Sequence, residues 1–290
     1  MPRGNQGVNM EIIHRVDYRD SWDKGLRKRL ERENIKYKIS EDFDKKDGLV
    51  VFNISESHPY WNRIEKKLRG LLGWFVYGDT VDTYFSDAEI FDSEWSLLYA
   101  QNAKKYPEPF NTWSVNPNNY DQFCNKCGTH IQARPFRIQK ETNWGSFHFF
   151  TFIIGVGIFT RKQVFDEFRR NKIRGVVRND VLINHTGKPA EDIFQLMPDK
   201  ATEGGLVVEE KVKASTCRKC GNKKYPYHDR GAMKYRRGPR LKEADILYTN
   251  EWFGPGGRVA WREILISNKV SRIILEKGWK GVKLKAVEIV

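Results

Sequence analysis

All four cysteines of this chain stand in two copies of one short pattern, "CNKCG" at 124–128 and "CRKCG" at 217–221. A Cys-x-x-Cys turn brings two thiolates onto one ion, and the glycine that follows permits the tight backbone turn beneath the sulfurs. Two such turns complete a tetrahedral set. Zinc accepts four thiolates at about 2.3 Å, so Cys124, Cys127, Cys217 and Cys220 are expected to hold one structural Zn2+ with no open position for water. Two other uses of these residues stay open: redox-active pairs, or separate sites completed by His130 beside the first knuckle and His228 beside the second. Residues 128–216 are too many for a compact zinc ribbon, and imply a folded insert that leaves the first knuckle and returns to the second.

Other groups capable of chemistry are sparse. An HNH-like nuclease can carry two Cys pairs, and His185 in "INHTGKPAED" with Asp192 offers possible catalytic groups for one. That reading lacks a convergent His-Asp-His set, and a lone histidine in a Gly/Pro-containing loop is more often a surface residue. There is no Walker-type loop, dinucleotide-binding glycine fingerprint or nucleophile elbow. "GPGG" (254–257) reads as a turn, and Trp252 and Phe253 beside it read as core. The expectation is a binding protein, not an enzyme.

A formal charge of +14 asks for an acidic partner. Its distribution is uneven: residues 211–242 hold twelve Lys and Arg against the single acid Asp229. Tyr225, Tyr227 and Tyr235 interleave with them, a mixture that can neutralise phosphates while stacking bases, so nucleic-acid binding is the alternative function. Charge runs are more often solvated faces. Within "YRRGPR", a Gly-Pro turn should expose Arg236, Arg237 and Arg240, making these the candidates for steering an acidic protein partner.

The elements that must position these groups read as an α+β fold with mixed sheets and packed helices. The first twenty residues lack the apolar stretch of a signal peptide, so a cytoplasmic protein is expected. The most apolar run, "FHFFTFIIGVGIF" (147–159), is too short to span a membrane and reads as one or two buried strands. Helices are expected over 21–35 with a Ser21 cap, over 58–72 with Pro59 in the first turn, and over 92–106; strands over 48–55 and 73–86. The Pro/Asn-rich stretch 106–123 marks a boundary between an N-terminal α+β region (1–120) and a domain (121–290) that carries both knuckles. Segments 159–183 and 264–290 share one plan: strand, a Thr160 or Ser267 cap, amphipathic helix, Gly-Val (Gly175-Val176, Gly281-Val282), strand. Chance and duplication both account for it at this level.

The order C-x-x-C-G, "NWGSFHFFTFIIGVGIFTRKQVFDEFRRNKIRGV" (143–176), C-x-x-C-G, then "DILYTNEWFG…REILISNKVSRIILEKGWKGVKLKAVEI" (245–289) resembles the double-CXXCG immunity proteins described in myxobacteria. The resemblance covers residues 121–290. It implies a protein that protects the producing cell and its kin by neutralising a cognate contact-delivered toxin. The basic charge then implies an acidic toxin, because inhibitors of basic nucleases are acidic.

Overall fold

The computed structural model describes residues 10–19, 25–41, 48–69, 76–103, 108, 123–132, 134–141, 143–152, 157–210 and 212–290. They belong to two compact units, Met1–Ser86 with Asp229–Gly231, and Asp87–His228 with Ala232–Val290. The Pro/Asn-rich stretch 106–123 and the Ser21 cap lie, apart from Glu108 and Phe123, outside the described residues.

In the first unit, apolar residues recur every second position in β1 (Glu11–Arg19), burying His14, Val16 and Tyr18 on one face. It continues through α1 (Leu26–Arg32), β2 (Tyr37–Glu41), β3 (Gly48–Ser55), α2 (Trp61–Arg69) and β4 (Val76–Tyr84). The four strands pair antiparallel in the order β2-β3-β1-β4. Leu26 and Leu30 of α1 and Trp61 and Ile64 of α2 pack with Val16, Val50 and Phe52 of the sheet. Helix α2 starts two residues after Pro59, later than expected. The short segment 229–231 is tied to β4 through Thr83, whose Oγ1 donates to Asp229 O (2.7 Å) and accepts from Gly231 N (2.9 Å).

The second unit runs α3 (Asp87–Asp92), β5 (Trp95–Ala100), β6 (Arg137–Ile138), β7 (Phe149–Phe150), β8 (Ile158–Thr160), α4 (Lys162–Arg170), β9 (Val176–Ile183) and β10 (Pro189–Pro198). It goes on through β11 (Leu206–Val207), β12 (Ser215–Thr216), β13 (Lys223–Tyr225), β14 (Met233–Tyr235), α5 (Arg240–Glu243), β15 (Ile246–Tyr248), β16 (Trp252–Phe253), β17 (Ile264–Ser267), α6 (Asn268–Glu276) and β18 (Val282–Ile289). These make a sheet of order β6-β9-β10-β8-β7, a sheet of order β11-β14-β18-β5-β17-β15, and a small sheet β12-β13-β16. The α+β expectation holds, with strand outweighing helix. Among the described residues no helix is long and apolar enough to cross a membrane.

One expected helix is a strand. Residues 95–100 (WSLLYA) form β5, the strand held between β17 and β18, with Trp95, Ser96, Leu97 and Leu98 all buried. A strand covered on both faces loses its polar alternation, and its short apolar run then cannot be told from a buried helix by periodicity.

The two segments of matching sequence plan occupy matching places. In one sheet β8-α4-β9 encloses β10; in the other β17-α6-β18 encloses β5. Each short parallel partner also matches, β6 beside β9 and β14 beside β18. Chain order then follows one plan twice, strand, knuckle, strands, helix, strand, with β11, β12 and α5 as additions in the second copy, and the first strand of each repeat lies in the sheet of the other. The cross-links between repeats match as well. Asp245 N and Ile246 N donate to Arg174 O, as His148 N and Phe149 N donate to Lys280 O; Tyr248 N donates to Lys200 O, as Thr151 N donates to Asn102 O. The Gly-Val positions are the close approaches: both Gly175 (φ 87°) and Gly281 (φ 85°) abut a carbonyl of the other repeat, Ile246 O and Phe149 O. The helix caps correspond at Arg161 and Ser267 instead of Thr160 and Ser267, and neither side chain makes a cap hydrogen bond. Asp192 Oδ1 accepts from Lys162 N (3.0 Å) at the start of α4.

Candidate metal centre

The strand exchange brings the knuckles together. Each is closed by the same backbone turn: Gly128 N donates to Cys124 O (2.8 Å) and Cys124 N to Thr129 O (2.9 Å), while Gly221 N donates to Cys217 O and Cys217 N to Asn222 O (both 2.9 Å). Gly128 (φ 82°) and Gly221 (φ 76°) take the left-handed conformation that the turn requires. Gly128 has a second reason, since a Cβ there would meet Arg258 O at 2.3 Å.

The four sulfurs of Cys124, Cys127, Cys217 and Cys220 lie within 4.8 Å of one another, with Cys124 to Cys217 at 3.9 Å and Cys127 to Cys220 at 3.5 Å. Four thiolates around one zinc stand roughly 3.8 Å apart at a metal–sulfur distance of about 2.3 Å. The donor set therefore fits a tetrahedral, closed Zn2+ site. All four thiols are free, three buried and Cys220 exposed. Neither His130 nor His228 belongs to the group. His130 is turned away, its Nδ1 2.8 Å from Gly128 O and its ring edge-on to Trp252.

The surroundings favour thiolate at some sulfurs and oppose it at others. Backbone N–H groups of Cys220 and Lys219 bring the Cys217 thiol down to about 6. Burial pushes Cys124 up, but the N–H groups of Cys127 and Lys126 outweigh it and its pKa is lowered. Burial takes Cys127 up to about 11. A bound dication is the group that would make all four ionise together.

One cation of the basic run sits directly behind the sulfurs, with nothing in its local sequence to set it apart. Lys224, one of the twelve basic residues of 211–242, is buried, and its Nζ donates to Cys127 O (3.1 Å), Gly257 O (2.9 Å) and Val259 O (3.0 Å). It ties the first knuckle to the 254–260 loop and lies close enough to Cys127 and Cys217 to interact with their charge. A zinc ion held by four thiolates carries two excess negative charges, which this ammonium partly offsets. Thr129 and Asn222, at corresponding places after each knuckle, meet through Asn222 Nδ2 donating to Thr129 Oγ1 (3.0 Å). Lys224→Met should leave three carbonyls without their donor, costing about 2–3 kcal/mol of stability. It should also weaken zinc roughly tenfold, as read by competition with a chromogenic chelator.

The other sequence candidates are dispersed. Arg237 pairs with Glu94 (2.8 Å) and Arg240 with Glu203 (3.1 Å), whereas Arg236 is exposed with no ion pair among the described residues. Lys234 pairs with Glu288 and Arg230 with Glu56, so four of the twelve basic residues of the run have an acidic partner. His185 is exposed in the turn between β9 and β10, and Asp192 is engaged by Arg161 (2.6 Å) and Lys162 N. The structure does not bring these two into one site. Phe253 is core as expected, but Trp252 is only partly buried and lines a cavity.

A buried polar cluster carries no local signal in the sequence. Glu263 is buried beside the Trp261 indole, whose Nε1 donates to it (2.9 Å), and Lys285, also buried, lies over the rings of Tyr99 and Tyr227. Burial pushes the Glu263 carboxyl up to about 6, against the opposing pull of Trp261 and Lys285. An acid whose folded pKa is raised binds more protons folded than unfolded between its two pKa values. Stability therefore falls as pH rises from about 4.5 through 6. Glu263→Gln should remove this component, so the stability difference between variant and wild type should shift by on the order of 2 kcal/mol across that window in denaturant titrations.

No protein-family model matches the chain, and no curated protein is detectably similar to it in sequence.

Proposed function

We propose that this chain is a zinc-stabilised, cytoplasmic immunity protein that binds and neutralises a cognate bacterial toxin, and that its metal fixes shape and takes no part in a reaction. The observation that carries the reading is the convergence of two distant C-x-x-C-G turns into one four-sulfur cluster. A closed four-thiolate sphere leaves no position for water or substrate, which suits a structural role. Its place between two strand-exchanged repeats suits a scaffold that presents a fixed surface. The toxin assignment itself rests on the resemblance of residues 121–290 to the double-CXXCG immunity proteins.

The test is co-expression with each protein encoded beside this gene, to find one that is toxic alone. Growth should be restored by the wild-type protein and lost with a variant that cannot hold zinc, and the purified pair should form a stable complex. A nucleic-acid complex in place of a protein complex would favour the alternative, a zinc-knuckle nucleic-acid-binding protein. An acidic toxin implies steering by exposed positive charge. Because Arg237 and Arg240 already have acidic partners, Arg236→Glu should carry most of the effect. It should slow association about 3- to 10-fold at low salt, with little change in dissociation. Stopped-flow association measured across a salt series checks this.

A further inference from the structure

A cavity of about 510 Å³ opens where the two repeats meet. Corresponding positions face it from both sides: Thr151 and Tyr248, which bridge to Ala103 and Ala201 just past the exchanged strands, and Ile158 and Ile264, which open β8 and β17. The lining has diverged between the repeats. Where one presents Gly157 before its strand, the other presents Glu263; where one presents Met197, the other presents Tyr99. One side is therefore uncharged, with Ile158 and Met197 beside the amides of Gln132 and Gln195, and the other gathers Tyr99, Tyr248, Trp252, Trp261 and, alone among the described lining residues, two charged side chains, Arg262 and Glu263.

Those two charges are not equivalent. Glu263 has the Trp261 indole N–H and the Lys285 ammonium for company. Arg262 makes no hydrogen bond or ion pair among the described residues, and its Nε is fully buried without a partner. Its guanidinium lies against Trp252, 4.7 Å from the ring centroid. Glu251, outside the lining but close enough to act on the Arg262 charge, accepts its hydrogen bonds from Gly205 N, Leu206 N and the Tyr235 hydroxyl. Burial lowers the Arg262 pKa, against the opposing pull of Tyr248 and Glu251. A guanidinium with an unpaired Nε in the wall of an aromatic-lined cavity is the arrangement in which a few convergent polar groups orient a mostly apolar ligand. The cavity volume suits a ligand with a body of two or more rings.

We propose that this cavity is a binding site for a small organic monoanion, a carboxylate on a flat aromatic body, with Arg262 receiving the carboxylate and Trp252, Trp261 and Tyr248 packing on the rings. The site stands whether or not the protein neutralises a toxin. It adjoins the metal centre, since the loop carrying Val259 into the cavity wall is the one that Lys224 ties to Cys127.

Calorimetric titration of the zinc-loaded chain with 2-naphthylacetate, and with the neutral 2-naphthylacetamide, tests this. Saturable one-to-one binding is expected, with the acid at least tenfold tighter than the amide. Arg262→Gln should bring the acid down to the level of the amide, and Met197→Trp, filling the cavity from the opposite wall, should weaken both at least tenfold. Circular dichroism and zinc content confirm that each variant is folded, and the acid-against-amide comparison in the wild type stands without any variant. Equal affinity for acid and amide, no saturable binding of either, or binding indifferent to Met197→Trp would each overturn the proposal.

Discussion

Replacing Cys220 with serine is expected to abolish zinc binding and to produce the largest loss of stability of any single substitution in the second unit. Cys220 is the one exposed sulfur of the four, so the change removes a ligand with little disturbance of packing. Structural zinc contributes folding free energy of about 10–16 kcal/mol in small zinc modules. The second unit has its own core, so a part of that, on the order of 5 kcal/mol, is expected here. The measurements are zinc per chain by elemental analysis and a denaturant midpoint, with and without chelator. Wild type should carry about one zinc, the variant almost none, and chelated wild type should unfold like the variant. Freshly purified, reduced wild type that contains no metal would sink the four-sulfur zinc site and restore the redox reading of the two pairs.

Gly281→Ala is expected to be nearly as damaging, for a reason unrelated to metal. A Cβ on Gly281 would stand 2.1 Å from Phe149 O, and the residue sits at φ 85°. The obstruction is backbone, which cannot rotate away. Relieving it would pull Lys280 O from the two N–H groups of His148 and Phe149 that join the repeats. The expected cost is about 3–5 kcal/mol. Gly175→Ala, which would place a Cβ 2.4 Å from Ile246 O at φ 87°, should behave alike. Gly187 supplies the control, with φ 68° but nothing within 4 Å, and its alanine variant should cost about 1 kcal/mol from backbone strain alone. Equal denaturant midpoints for Gly281→Ala and Gly187→Ala would show that the repeats do not meet as described.

The local pieces are legible in the chain without its fold. Strand β3 reads directly over 48–55, as do the amphipathic helices α4 and α6, because their side-chain periods are contained within one segment. The pairing of both knuckles in one cluster is legible too. Thiolates in a C-x-x-C-G turn need two more ligands, and one other pair of cysteines exists in the chain, although His130 and His228 were also at hand until the fold set them outside the cluster. Long-range packing decided the rest. Trp95–Ala100 became a strand because exchange buries it between β17 and β18, a neighbourhood formed by residues far away in the chain. Lys224 became the ammonium behind the sulfurs, while Arg237 and Arg240 acquired acidic partners. Such assignments depend on which side chains and carbonyls lie within about 3 Å after folding, and a run of like charges in the sequence does not distinguish one member from another. The cavity at Arg262 arises where two similar halves meet with different side chains at matching positions, so neither half contains it alone.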